Sequence, residues 1–155
     1  MKRNLLKAFT MLMLLVTLSL ASAVASAQTQ ATKKVVATIP FEFSVGYKTM
    51  PAGDYVVEVI ATAGDALMIK SADDPVSALR LSEATSREKK QSHARLIFNR
   101  YGDKYFLSEV WNGVDPIGRR LIKSGDERAA EADANANREA AHASSERVEV
   151  AALLR

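Results

Sequence analysis

The chain has no cysteine among its 155 residues. This absence excludes disulfide bridges, a thiolate nucleophile and a lipid-bearing cysteine anchor, and it leaves zinc without its usual sulfur ligand. The fold must therefore be held together by its hydrophobic core. A chain of this size can do so, because a domain of about 130 residues buries roughly two thirds of the surface that its unfolded form exposes.

Motifs that mark active sites are lacking as well. The two histidines, His93 and His142, do not make up a zinc site of usual composition without cysteine. The sequence has no G-x-S-x-G nucleophile elbow, no glycine-rich phosphate loop and no dinucleotide fingerprint. We therefore predict no catalytic residue, no metal site and no cofactor.

Residues 1–27 have the pattern of a secretory signal peptide. Three basic residues lie within the first seven, residues 8–20 carry no charge, and residues 25–27 form an Ala-Ser-Ala cleavage triplet. The apolar run of about 13 residues is shorter than the ~20 needed to span a bilayer. We expect cleavage before Gln28, export to the periplasm or the medium, and no transmembrane segment in the mature chain.

Removal of the signal changes the charge balance. The full chain has 21 Lys and Arg against 18 Asp and Glu, and three of the basic residues lie in the signal. The mature chain is thus formally neutral. The basic isoelectric point of the full chain, about 9.2, therefore comes in part from the signal and is not the mark of a nucleic-acid partner, and we predict none.

Alternating apolar residues follow a polar leader at residues 28–34. In residues 35–45 every odd position is apolar, which is the period of a half-buried strand. Pro40 cannot donate a ladder hydrogen bond, so it indicates an edge or a bulge. Further strands are predicted at residues 55–62, 66–70, 77–82 and 117–123, with a solvated loop or an extended hairpin tip at 83–93.

Residues 94–111 give the clearest hairpin, turning at Gly102 and Asp103. This turn pairs Phe98 with Leu107 and Ala94 with Trp111. One face, predicted to be core, then carries Leu96, Phe98, Tyr105, Leu107 and Trp111. The β domain at residues 35–123 is therefore predicted to be mainly β: a small antiparallel β-sandwich or barrel of seven to eight strands, between which the sequence does not choose.

The composition changes after residue 123. Residues 124–146 are rich in alanine and contain no large apolar side chain. Ser124 and Glu127 have the spacing of a capping box, so a helix can start here, but it has little to dock with. We predict a mobile helix or a disordered linker, followed at residues 147–155 by a final strand or a tail.

Two kinds of candidate site remain. Aromatic rings edged by basic groups suit sugars or anionic glycans, although the simpler interpretation is that Tyr105 and Trp111 fill the core while the arginines are solvated on the opposite face or at a rim. These candidates are Arg100, Tyr101, Lys104, Tyr105, Trp111 and Arg119. The second kind is a pair of strand carboxylates among Glu42, Glu58 and Glu109, which would suit a hydrolase.

Three stretches resemble a group of secreted bacterial proteins without assigned function. They are the I-P-F-E-F-S-V-G run at residues 39–46, the P-A-G-D-Y turn at 51–55 and the R-Y-G-D hairpin at 100–103. The resemblance covers residues 35–123 and implies no active site. We therefore expect a non-enzymatic binding or structural protein of the cell envelope, whose partner is an envelope protein or a glycan. The alternative is a small periplasmic or secreted hydrolase.

Overall fold

A computed structural model describes residues 34–60, 66–86, 93–141 and 146–155, the side chains of residues 137–141 excepted. The predicted signal peptide and nearly all of the polar leader lie outside these residues. The described elements are β1 (Lys34–Ile39), β2 (Phe43–Val45), β3 (Lys48–Met50), β4 (Gly53–Ile60), β5 (Ala66–Ser71), β6 (Ser77–Ser86), β7 (Arg95–Tyr101), β8 (Lys104–Trp111), β9 (Ile117–Leu121), α1 (Gly125–Ala141), β10 (Glu146–Ala151) and β11 (Leu153–Leu154).

The predicted mainly β fold is confirmed. The strands form one large mixed sheet in the order β10-β7-β8-β9-β6-β5-β4-β1-β11. Strand β2 lies off this path, paired antiparallel with β3 and parallel with β8. Eleven strands are described instead of seven to eight, partly because Pro40 divides the predicted strand at residues 35–45 into β1 and β2, which pair with different partners.

Strand β6 belongs to both layers of the folded sheet. Its residues 77–81 pair with β5, whereas residues 82–86 pair with β9. Strands β11, β1, β4, β5 and the first half of β6 are here called layer 1. The second half of β6 with β9, β8, β7 and β10 is called layer 2. The arrangement is sandwich-like and the sheet is not closed. In the segment predicted to be a solvated loop or an extended hairpin tip, residues 83–86 are extended and continue β6.

The core lies between the inner faces of the two layers. Phe43 is at its centre, with its ring 5.0 Å from that of Tyr55 in layer 1 and 5.4 Å from that of Phe98 in layer 2. The odd positions of β1 and β2 are all buried, as the alternation predicted. Those residues and their main neighbours are Val35, Ala37, Ile39, Phe43, Val45, Met50, Val57, Leu67, Ile69, Leu96 and Leu107.

The β7–β8 hairpin forms as predicted, with Phe98 opposite Leu107, but its register shifts beyond that pair. Ile97 lies opposite Glu109, so Ser108 is an extra residue and a β-bulge. The bulge reverses the faces of the rest of β8. Trp111 therefore lies opposite Arg95, not Ala94, and it points to the outer face of layer 2 with Glu109. Its predicted place beside Leu96 is wrong for this reason.

Gly102 offers a test of the hairpin turn. Its φ is +65°, a conformation that a β-branched residue adopts poorly, while a Cβ there would meet no atom within 4 Å. We expect Gly102→Val to lower the free energy of unfolding by about 1 to 3 kcal/mol through backbone strain alone. Thermal melting measures this, with Gly102→Asn as the control, because asparagine tolerates positive φ. Equal loss in both variants would contradict the explanation.

The helix α1 makes more contacts with the sheet than the sequence indicated. Ser124 Oγ accepts a hydrogen bond from the Glu127 backbone N–H at 3.1 Å, which is half of the predicted capping box. The Glu127 carboxylate instead accepts a hydrogen bond from Asn99 Nδ2 at 2.8 Å, joining the helix to β7. Ala130 is buried against Tyr101 and Phe106. The small alanine side chains let the helix approach these rings closely.

The C-terminal segment pairs with both layers. Strand β10 pairs with β7 over six residues, and β11 pairs with β1 through Leu153 and Leu154. Val148 and Val150 pack against the core and are half-buried. The segment predicted to be a strand or a tail is thus two short strands that join the edges of layers 2 and 1.

Candidate functional site

The outer face of layer 1 is mainly apolar. Strand registers place its residues in cross-strand rows: Val36 lies beside Leu153 and Val56, Glu58 beside Met68, and Leu81 opposite Ala66. The open face is defined here by seven aliphatic residues that these registers bring to one side. They are Val36, Val56, Ile60, Met68, Leu79, Leu81 and Leu153.

Three members of the open face are strongly exposed. Leu79 is 57%, Leu81 64% and Leu153 69% accessible. The exposed Ile122 follows β9, and continuation of the β6–β9 register places it beside Leu81. With strands about 4.8 Å apart and alternate residues about 7 Å apart, the face measures about 20 by 14 Å. These exposed aliphatic side chains make the face the candidate interaction surface of the domain.

The charges within the open face are mainly basic where they meet solvent. Glu58 is 15% exposed and lies between Lys34 at 3.6 Å and Lys70 at 3.5 Å, both of which are about half exposed. Arg155 exchanges two backbone hydrogen bonds with Lys34 and so belongs to the same face. Asp54 and Glu83 lie on this side one row outside the apolar rows, Asp54 beyond Val56 on β4 and Glu83 beyond Leu81 on β6. The middle of the face thus presents cations next to aliphatic groups.

The outer face of layer 2, by contrast, is covered in part by α1. Lys123 Nζ donates to both Glu131 oxygens at 2.7 Å. Burial tends to lower the pKa of Lys123, but hydrogen bonds to Glu131 and Tyr101 raise it above its ordinary value. Burial also raises the pKa of Tyr101, against the effect of Lys123. The packing of Ala130 and partly buried polar pairs therefore hold the helix on part of the outer face of layer 2.

Glu127 should make this helix contact sensitive to pH. Burial raises the pKa of its carboxyl above the ordinary value, although the Asn99 hydrogen bond opposes the shift. A folded-state pKa above that of the unfolded chain means that stability is fully present below the unfolded pKa and is lost as pH rises through the folded one. Glu127→Gln keeps an acceptor for Asn99 and removes the charge. We expect it to raise the melting temperature at pH 7 and to have little effect near pH 3.

Thermal melts of Glu127→Gln and the parent protein across this pH range measure the effect. Asp126→Asn is the matched control, since Asp126 is the exposed neighbour in the same helical turn. A stability gain for Glu127→Gln that does not change with pH would contradict the explanation.

Glu109 organises the rest of the outer face of layer 2. It is 2% exposed and accepts a hydrogen bond from Trp111 Nε1 at 2.9 Å. Arg147 of β10 lies 2.8 Å from its carboxylate, and Arg120 of β9 lies 3.4 Å away. A buried carboxylate that three strands supply with donors is a structural tie, because each donor compensates part of its desolvation.

The six residues predicted to form a ligand surface are divided between two faces. Arg100 lies 5.4 Å from the Tyr105 ring on the inner side, where that ring stacks on Phe41. Tyr101, Lys104 and Trp111 lie on the outer side of the same hairpin. Tyr101 and Trp111 are buried on that outer side, whereas Tyr105 is half-buried and packs against the core between the layers. The half-buried Arg119 lies on β9 opposite Val110.

The three carboxylates predicted as hydrolase candidates, Glu42, Glu58 and Glu109, have different surroundings. The ion pairs of Glu58 are with lysines of β1 and β5, while those of Glu109 are with arginines of β9 and β10. Glu42 is exposed in the segment between β1 and β2. Within the described ranges, no cluster of three or more acidic or histidine side chains is suited to a metal ion.

The open face was only partly visible in the sequence. Alternation placed Val56, Glu58 and Ile60 on a common side of one strand, but nothing local indicated that Leu79, Leu81 and Leu153 join them.

Among the described helical residues, no segment is long and apolar enough to cross a membrane. Comparison of the chain with protein-family models, curated proteins and solved structures finds no match. The resemblance at residues 35–123 stays a prediction.

Proposed function

We propose that the chain is an exported, non-enzymatic binding protein of the cell envelope, in the periplasm or outside the cell. The observation that carries this proposal is the open face, on which aliphatic side chains stay exposed although the same sheet buries others efficiently. Export rests on the signal-like pattern at residues 1–27.

The hydrolase alternative has less support. A retaining or inverting glycosidase needs two carboxyl groups about 5 to 9 Å apart across a substrate. Glu58 and Glu109 are instead each held by their own basic partners. Glu42 is exposed to solvent, as most surface carboxylates are, and its position does not indicate a catalytic role.

Capture from envelope extract tests the proposal. The immobilised protein is incubated with separate protein, peptidoglycan and polysaccharide fractions, in parallel with a Leu79→Ser/Leu81→Ser double variant. Ile117→Ser is the matched control, because Ile117 is 56% exposed but lies on β9 with its side chain on the other side of the sheet. We expect a component that the parent and the control retain and the double variant loses. Retention of the same material by all three would refute the role of the open face.

A further inference from the structure

We propose that the open face binds an amphipathic helix of a partner protein, with an aliphatic stripe on the face and acidic side chains beside Lys34, Lys70 and Arg155. This inference rests on the proposed binding function and specifies the chemistry of the partner.

The size of the face fits one helix. A helix of about 14 residues is about 21 Å long and about 10 Å wide with its side chains. That footprint matches a face of about 20 by 14 Å. A stable dimer of standard size buries about 800 Å² on each partner, well above the roughly 300 Å² available here. A second copy of the chain is therefore the poorer occupant.

The charges favour acidic flanks on that helix. Glu58 is largely shielded by its two lysines, so the groups that remain accessible in the middle of the face are the amines of Lys34 and Lys70 and the side chain of Arg155. Carboxylates beside an aliphatic stripe would pair with these cations and leave the apolar rows in contact. Asp54 and Glu83, each one row outside the apolar rows, would lie beyond such a stripe.

The molecule uses the same mode of covering elsewhere on its surface. On layer 2, α1 places Ala130 against Tyr101 and Phe106, and its Glu131 pairs with Lys123 at 2.7 Å. The open face offers the equivalent elements on layer 1: an apolar sheet surface and neighbouring lysines. Its seven defining members are all aliphatic. Membrane interfaces usually add tryptophan and tyrosine, so a protein helix suits this face better than a lipid surface.

Two synthetic helical peptides test the inference. Both carry the same leucine and isoleucine stripe, one with glutamate flanks and the other with lysine flanks, and both are titrated against the purified protein by fluorescence anisotropy. We expect the acidic peptide to bind with a Kd of about 10 to 100 µM, a range usual for a small interface, and the basic peptide at least tenfold more weakly. The preference should diminish in high salt.

Variants locate the binding. Leu79→Ser/Leu81→Ser should weaken the acidic peptide at least tenfold, whereas Ile117→Ser should leave it unchanged. Lys34→Gln/Lys70→Gln should remove the preference between the peptides while preserving the apolar contribution. Melting curves of each variant establish that it is folded before it is titrated.

Other outcomes overturn the inference. Equal binding of both peptides, or binding that the leucine variant does not weaken, would refute it. Binding of anionic phosphatidylglycerol vesicles without peptide binding would assign the face to lipid, and self-association abolished by the leucine variant would assign it to a second copy. If envelope capture depends on Leu79 and Leu81 but neither peptide binds, the binding function stands and the helical partner is wrong. If capture does not depend on them, both proposals fail.

Discussion

Truncation after Ser144 is expected to remove most of the stability of the domain. Strand β10 makes a six-residue antiparallel pairing with β7, and its half-buried Val148 and Val150 contribute about 1 to 2 kcal/mol each. Loss of Arg147 also deprives the buried Glu109 of a partner at 2.8 Å, and a hydrogen bond to a charged group contributes about 1.5 to 3 kcal/mol. The total is comparable to the 5 to 15 kcal/mol stability of a whole domain.

Differential scanning calorimetry measures this effect. We expect the truncated chain to show no cooperative transition, or one at least about 15 °C lower, since 1 kcal/mol shifts the midpoint of a small domain by about 4 to 8 °C. Truncation after Ala152 is the control, because it removes only β11 and Arg155 and preserves the contacts with β7 and Glu109. An unchanged midpoint after truncation at Ser144 would show that the C-terminal segment does not contribute to the fold.

Glu109→Ala is the point substitution with the largest expected effect. It leaves a cavity at a position that is 2% exposed, and it removes the acceptor of the buried Trp111 N–H. An unsatisfied buried donor costs about 1 to 3 kcal/mol, and the lost partner of two arginines adds to this. We expect a loss of about 3 to 4 kcal/mol in chemical denaturation. Glu109→Gln, which can still accept from Trp111, should lose less.

A double-mutant cycle separates the ion pair from the packing. Arg147→Ala should be clearly destabilising in the parent protein and nearly neutral in Glu109→Gln, because the charge that it neutralises is then absent. Glu58→Ala is the control, since its lysine partners are about half exposed and surface pairs are worth only about 0 to 1 kcal/mol. Additive effects of the Glu109 and Arg147 substitutions would argue against a shared network.

Local patterns predicted much of the fold. Alternation over residues 35–45 identified the core side chains of β1 and β2, and the Gly102–Asp103 turn identified the hairpin. Both signals act within a few residues, which is the range over which side-chain period and turn chemistry operate. The bulge at Ser108 was not predicted, because a residue added to one strand shows only against its partner. Trp111 was assigned to the wrong face as a result.

Local sequence patterns did not predict how the helix docks or which residues form the candidate site. The capping residues Ser124 and Glu127 predicted where α1 starts, but its docking depends on Asn99, Tyr101 and Phe106, which come from a distant hairpin. Likewise, the six-residue ligand surface was assembled from neighbours in sequence, and the layered sheet divides those neighbours between two faces. Tyr101 and Trp111 are buried there, while Leu79 and Leu81 are not.

The sequence by itself determined that this is a cysteine-free, mainly β domain held together by its core, because alternation and turn chemistry act within single strands. Tertiary structure decided which strands meet. It brought Arg147 to Glu109, placed the C-terminal strands beside β7 and β1, and left Leu79, Leu81 and Leu153 exposed on layer 1 while α1 packs on layer 2. These outcomes depend on pairings between residues far apart in the chain, for which a single strand carries no signal.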